Sequence, residues 1–260
     1  YVDGLLPKLN NNKLHPSFNL HRTATGRLSS SSPNLQNIPR DSSIRKLFVP
    51  PDGYTMLVAD YDQIELRVMA MFSQDARLLE IFKHNEDIHS ATAAAVFKKS
   101  VDEVTSEERQ IGKGVNFLTA YGGGSNKLAR VTGVTPEHAE ELLASYYKSF
   151  NGLTKWKQTA IATATKKGYV TTLSGRRRRL PDLSSRSSEL ISRAQRQAIN
   201  AIIQGSAADI CKQAMIDVDN AFKDTKTKML VQVHDELVAV TPEDQEENSI
   251  NTLITAMGHN

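Results

Sequence analysis

Strand-forming sequence lies near the two ends of this chain, and nearly everything between has a helical period. Residues 54–60, Tyr-Thr-Met-Leu-Val-Ala-Asp, make a β-branched apolar run. Residues 229–240 hold two apolar runs around His234-Asp235, which reads as a hairpin. A sheet could join the early strand to the late hairpin across the helical stretch between them. The order predicts a discontinuous sheet with a helical lobe inserted into it, and it brings Asp60 and Asp235 together from distant parts of the chain.

The inserted lobe is legible in its punctuation. Ile64, Val68, Met71 and Phe72 recur at helical spacing directly after Asp60, which puts that acid at a strand-to-helix junction. Residues 103–121 read as one helix opened by Thr105 or Ser106, with Glu108 in the first turn and Gly122-Gly123-Gly124 as the stop. Thr135-Pro136 opens a helix over 136–150, and Gly168 closes one over 152–167. Residues 169–173 are strand-like, and Ser174-Gly175 turns into Arg176-Arg177-Arg178-Arg179. Residues 187–219 form a long helical pattern, weakened by Gly205, and the tail from Thr241 reads as an acidic helix. Residues 46–49 are a short strand candidate, followed by the turn Pro50-Pro51-Asp52-Gly53. Residues 1–39 lack periodicity and read as loop, with Arg22, Arg27 and Arg40 in a Ser/Thr/Asn setting suited to phosphates.

Composition narrows the function classes. Charged residues at 23% and apolar residues at 39% fit a globular chain rather than a disordered one. No apolar run reaches the roughly 18 residues of a membrane span. The single cysteine, Cys211, forms no intrachain disulfide, lacks a zinc-type partner set and falls in a helical stretch, so it reads as a buried core thiol. A net charge of +3 is only mildly basic. The arginine run, with Lys166-Lys167 upstream, is either a solvated patch or a phosphate contact.

Two constellations carry chemistry. Asp60 and Asp235 end buried-looking strands, an unfavourable place for a carboxylate unless it is paired or bound to metal. A sparse pair of carboxylates suits magnesium, which keeps waters and takes further oxygens from substrate phosphates. Arg109, Lys113, Phe117 and Tyr121 are spaced by four, a winding helical stripe with about 6 Å between steps. Its cationic half matches phosphates and its aromatic half a base or sugar, the polarity of a nucleoside triphosphate. Alone, the helix fits equally well an amphipathic element with Phe117 and Tyr121 in the core. Arg196, Asn200 and Gln204 repeat the spacing in a polar stripe, fit for a minor groove or simply for solvent.

At these residues the chain resembles the polymerase domain of family A DNA polymerases, the bacterial DNA polymerase I type also found in phages. The likeness rests on ordered segments: Thr23-Ala24-Thr25-Gly26-Arg27 with Pro33-Asn34-Leu35-Gln36-Asn37; Asp60-Tyr61-Asp62-Gln63-Ile64-Glu65; Arg109 through Lys113 and Asn116-Phe117 to Tyr121-Gly122; Gln204-Gly205-Ser206-Ala207; and Val233-His234-Asp235-Glu236. The resemblance implies an α+β fold of right-hand polymerase architecture: a palm with an antiparallel β-sheet, a large inserted helical fingers subdomain, and the thumb absent. The expected division is palm over 1–72, fingers over 73–190, and a truncated C-terminal palm over 191–260. The chain, which begins at Tyr1, is expected to be a fragment of a longer polymerase.

The resemblance further implies template-directed addition of dNTPs to a primer 3′-hydroxyl with two magnesium ions, for which manganese substitutes. It implies catalytic roles for Asp60, Asp235, Glu236 and Lys113, and metal ligation by Asp60, the Tyr61 carbonyl and Asp235. It implies dNTP binding by Arg109, Lys113, Phe117, Tyr121, His89, Gln63 and Glu65, the last as a steric gate against a ribose 2′-hydroxyl. It implies primer-template DNA contacts from Arg27, Asn34, Gln36, Asn37, Arg196, Asn200, Gln204 and His234. A monomer in a bacterial or phage-infected cytoplasm, without a membrane, goes with this. The alternatives are a catalytically silent nucleic-acid-binding fragment and a single-subunit RNA polymerase-like enzyme, against which Glu65 argues. The chain departs from the family pattern at Asp62, where Ser is usual, and at Leu118, where Gly is usual. Gly114 replaces a larger residue, which suggests a looser fingers helix, and Gly123-Gly124 is also atypical. Phe117 in place of Tyr resembles members that discriminate against dideoxynucleotides.

Overall fold

The computed structural model describes residues 2–39 and 42–258. Arg40, one of the arginines read as a phosphate contact, lies outside the described residues. In chain order the elements are α1 (Val2–Leu5), β1 (Leu9–Asn10), β2 (Lys13–Leu14), β3 (Ser17–Asn19), β4 (Ser29–Ser31), α2 (Ser42–Arg45) and β5 (Tyr54–Asp60). The next are α3 (Ile64–Ser73), α4 (Ala76–Lys83), α5 (Ile88–Phe97), α6 (Ser106–Ala120), α7 (Ser125–Thr132), α8 (Pro136–Ser149) and α9 (Asn151–Lys167). Then come β6 (Tyr169–Thr171), β7 (Arg177–Arg179), α10 (Ser188–Ala221), β8 (Lys228–Val233), β9 (Glu236–Pro242) and α11 (Glu246–Gly258). The fold is α+β, with antiparallel sheets and a helical majority. Among the described residues no helix is long and apolar enough to cross a membrane.

The chain divides into two compact units, one of residues 1–62 with 207–260 and one of residues 63–206. In the first, the early strand and the late hairpin form one three-stranded sheet in the order β5-β9-β8. Leu57 pairs with Ala239, Val58 with Val238 and Asp60 with Glu236. Alternation sorts the faces. Leu57, Leu237 and Ala239 turn inward onto Ala214, Val218 and Phe222 of α10 and Leu253, Ala256 and Met257 of α11. Val58 points the other way and stays 58% exposed. Tyr61 donates its hydroxyl to the Met257 carbonyl at 2.7 Å, which ties the end of β5 to α11.

The second unit is built on helices whose ends the sequence marks clearly. Thr105 and Glu108 form a reciprocal capping box at the start of α6. The helix starts at Ser106, because residues 101–103 form a separate 3-10 turn. Asp75 caps α4 and also accepts the Leu153 amide at 3.3 Å, which ties α9 to α4. Tyr146, Phe150, Leu153, Leu78, Ile88, Leu128 and Val115 are fully buried. A second cluster joins Ala164, Val170, Leu180 and Leu183 to Ala194, Ala198 and Ala201 of α10. Helices α5 and α6 approach closely at Gly112, where a Cβ would lie 2.4 Å from the His89 carbonyl oxygen.

Some expectations need correction. Residues 46–49 form no strand: Leu47 is 63% and Val49 76% exposed, and among the described residues no neighbouring strand pairs with them. Part of the arginine run is itself a strand, Arg177–Arg179, pairing with Tyr169–Thr171. The N-terminal loop contains a tight hairpin, β1-β2, turned by Asn11 and Asn12 at φ of 48° and 58°. Despite Gly114, α6 runs unbroken from Ser106 to Ala120. Leu118 is buried, and its Cδ1 occupies the position a Cβ on Gly123 would need.

Candidate active site

In the first unit, the sheet register delivers the acids. Asp60 is the last residue of β5 and stands opposite Glu236. The next residue, Tyr61, donates its amide to the Asp235 carbonyl at 3.2 Å, so Asp60 and Asp235 lie on neighbouring ends of the same sheet. Both line one cleft of about 330 Å³ with Gln36, Asn37, Arg45, His234 and Glu236. The acids are less buried than the strands suggested: Asp60 is exposed and Asp235 half-buried. Convergence rather than desolvation therefore marks this pair. Helix α10 passes nearby with Cys211, whose thiol is pushed up to about 12, first by burial and then by Asp235, with Asp60 adding to this and Arg27 opposing it.

The hairpin tip is held from below. His234 sits in the left-handed region at φ 60°, uncommon for a residue with a side chain. Gln232, 5% exposed, donates its amide to the His234 carbonyl. The Gln36 amide in turn donates to the Gln232 side-chain oxygen at 3.0 Å and to its backbone carbonyl at 3.3 Å. Asn34 caps the 3-10 turn at Leu35–Asn37 by accepting the Gln36 amide N–H. Thus Gln36 is buried and committed to Gln232, while Asn34 and Asn37 are exposed. At the rim, Arg45 pairs with Glu236 at 3.6 Å. Sequence reasoning does not single out Gln232 or Arg45. A polar residue between Val231 and Val233 of an inward-facing strand is the available signal for Gln232. Arg45 carries no local signal.

Among the described residues no three His, Cys, Asp or Glu side chains form a metal cage. The donor set here is two carboxylates beside backbone carbonyls, all oxygen. That suits magnesium, which takes one or two protein carboxylates and completes its shell with water and phosphate.

In the second unit, α6 presents the stripe. Lys113 is exposed and Phe117 is 40% exposed, so Phe117 is not a core residue; Tyr121 caps the helix and is half-buried. Arg109 is gripped by Asp87 through its Nε at 2.6 Å and an Nη at 3.2 Å. Asp87 also caps α5 through the His89 and Ser90 amides. Burial works against the Asp87 anion, yet Arg109, the Ser90 hydroxyl and the His89 amide together hold its carboxyl well below the usual range. His89 is buried, with its ring 5.8 Å from that of Phe117. Asn116 fixes that ring: its amide reaches His89 Nδ1 at 3.1 Å and the Ile88 carbonyl at 3.3 Å, and its oxygen accepts the Thr92 hydroxyl at 3.0 Å. In the same unit, Gln63 takes a left-handed conformation before α3, Glu65 is buried in its first turn, and Asp62 at the end of the other unit is exposed. Along α10, Arg196 is exposed and Asn200 and Gln204 are half-buried.

An acid pair on an antiparallel sheet and a cationic-aromatic helix are parts that a nucleotide-handling enzyme requires. The family model for DNA polymerase family A matches residues 1–260, and the chain belongs to that family. It is 44% identical to DNA polymerase I of Bacillus subtilis (strain 168) over 256 residues, covering 95% of this chain and 29% of that protein. It is 42% identical to the thermostable DNA polymerase I of Thermus filiformis, covering 96% of this chain and 31% of that protein. The POL domain of Pol1 from M. smegmatis, solved in complex with DNA primer-template and dNTP, superposes with a TM-score of 0.94 at 42% identity. That likeness covers 99% of this chain and 47% of the solved one. The chain spans under a third of the length of these curated relatives.

Proposed function

We propose that this chain carries the catalytic region of a template-directed DNA polymerase, adding dNTPs to a primer 3′-hydroxyl. The observation that carries the reading is the juxtaposition of Asp60 and Asp235 through the Tyr61–Asp235 backbone bond and the Asp60–Glu236 register. Asp60, Asp235 and the Tyr61 carbonyl would hold two magnesium ions, with Glu236 beside them; manganese has the same oxygen preference. Such ions, when bound, activate the attacking hydroxyl and offset charge on the phosphates.

The other roles rest on side-chain chemistry. Arg109 offers phosphate the N–H groups that Asp87 leaves, and Asp87 keeps the guanidinium oriented. Lys113 would bind the triphosphate and steady the leaving pyrophosphate by its charge. Phe117 and Tyr121 supply the surface for base and sugar, His89 acts near the triphosphate, Gln63 joins the dNTP site, and Glu65 fills the space a ribose 2′-hydroxyl would need. Arg27, Asn34, Asn37, Arg196, Asn200, Gln204 and His234 contact primer-template, and Gln36 acts with them through Gln232. The proposed subdomains are a palm drawn from both chain ends and fingers between. The protein works as a cytoplasmic monomer.

Primer extension with magnesium tests this. Joined to the segments its longer relatives carry, the chain is expected to extend a primed template with dNTPs in preference to rNTPs, and Asp60→Asn or Asp235→Asn to abolish extension while leaving the fold intact. Extension that survives either substitution refutes the assignment. Salt-sensitive DNA binding that survives loss of both acids, with no extension even when the chain is joined to the segments its longer relatives carry, would identify a silent binding module instead.

A further inference from the structure

One buried cation has no role in the chemistry above. Lys157, on α9, is a half-buried residue that turns its ammonium inward. Long lysines ordinarily carry the charged head to water. Here Nζ donates to the Thr119 carbonyl at 2.7 Å and lies 5.2 Å from the centre of the Tyr147 ring. Among the described residues no carboxylate pairs with it, and burial pushes its pKa down to about 8.

The acceptor gives this cation its meaning. Thr119 is in the last turn of α6, between Phe117 and Tyr121. Its carbonyl also faces the Tyr121 amide and receives the Gly122 amide at 3.2 Å. Carbonyls at a helix C-terminus carry the negative end of the helix dipole, and a cation there is favourable. Directly after the helix and its Tyr121 cap, Gly122-Gly123-Gly124 offers no side chain to hold the end in place. Gly122 takes φ 69°, and the room beside Gly123 is filled by Leu118 from the helix itself. The N-terminal end of α6 is secured by its capping box, with Lys99 bound to Glu108 at 2.7 Å. Its middle is secured by Asn116. Lys157 does the same for the last turn.

We propose that Lys157 is a positioning residue for nucleotide binding: its ammonium anchors the carbonyl end of α6 and so sets the placement of Phe117 and Tyr121. This rests on the reading of α6 as the dNTP-binding helix. A buried ammonium without a counter-ion is costly, and a methionine would fill the same space. A purely structural part would therefore be served better by the apolar residue.

The test compares Lys157→Met with the unaltered chain and with Lys113→Ala, in single-nucleotide extension when joined to the segments the longer relatives carry, and in thermal unfolding and amide exchange. Lys157→Met is expected to raise the KM for dNTP about three- to tenfold, in line with one lost charge–dipole contact. It is expected to leave kcat within about twofold and the melting temperature unchanged or higher. Exchange of the Tyr121 and Gly122 amides should quicken. An unchanged KM overturns the proposal, as does a lowered melting temperature with KM and kcat falling together. If Lys113→Ala also leaves KM unchanged, or if the unaltered chain incorporates no nucleotide, the reading of α6 fails and this proposal with it. If Lys113→Ala raises KM and Lys157→Met does not, only the role of Lys157 is lost.

Discussion

Two glycines on α6, two residues apart, should respond unequally to the same substitution. Alanine in place of glycine in a helix interior is worth about 1 kcal/mol of propensity. At Gly112 the new Cβ would meet the His89 carbonyl oxygen at 2.4 Å, the Ala93 amide nitrogen at 3.0 Å and the Ala93 Cβ at 3.1 Å. Two of these are backbone atoms of α5 and cannot swing aside. Relief requires α5 and α6 to separate by on the order of 1 Å, the gap to ordinary van der Waals contact. That movement costs about 1–3 kcal/mol of overpacking. It also stretches the Asn116 bonds to Ile88 and His89, already 3.3 and 3.1 Å, at about 1 kcal/mol or more. After the propensity gain, Gly112→Ala should lose about 1–3 kcal/mol and lower the melting temperature by about 2–4 °C per kcal/mol. At Gly114 the new Cβ meets only the Thr132 methyl at 2.9 Å and Leu128 Cδ1 at 3.7 Å, both side-chain atoms. Gly114→Ala should be neutral to within about 0.5 kcal/mol. Thermal melts followed by circular dichroism check the pair. A Gly112→Ala protein as stable as the unaltered one, or more stable than Gly114→Ala, would refute the close backbone approach of α5 and α6 at Gly112.

Asp87→Asn keeps the α5 cap but removes the charge facing Arg109, so the dNTP KM should rise. Because the Asp87 carboxyl is held below its ordinary value of 3.8, its ion pair contributes stability that is full above about pH 4 and is lost on acidification. The variant should lose less stability than the unaltered chain below that pH in acid titrations monitored by fluorescence. Gln232→Leu leaves the buried Gln36 amide without its side-chain acceptor and frees the His234 turn. A loss of about 1–3 kcal/mol in denaturant melts and a drop in kcat are expected. Cys211 should resist aromatic disulfide reagents at pH 8 in the folded protein and react once it is unfolded, since burial keeps its thiol protonated.

The sheet and helices were legible because their signals are local and repeated. Apolar runs marked β5, β8 and β9, and Thr105 with Glu108, Thr135 with Pro136, and Gly168 marked helix ends. The N-terminal hairpins were not legible: two- and three-residue strands carry no period, and the β1-β2 turn depends on positive φ at Asn11 and Asn12. Residues 46–49 misled because β-propensity says nothing about whether a partner strand exists. At the site, the spacing of Arg109, Lys113 and Phe117 showed a stripe, but only the fold showed Phe117 exposed rather than in the core. The Asp60–Asp235 pairing came from the order of strands, whereas the argument from burial failed at exposed Asp60. The supports stayed hidden, because Gln36 reaches Gln232 and Arg109 reaches Asp87 only through tertiary structure.

Leu118 and Gly123 share one volume, so a change at either position constrains the other. Glycine at 118 alone should leave a hole beside Gly123, and enlarging 123 alone should drive a side chain into the leucine. Either change alone should therefore cost stability, so segments exchanged between this chain and its relatives should carry both positions together.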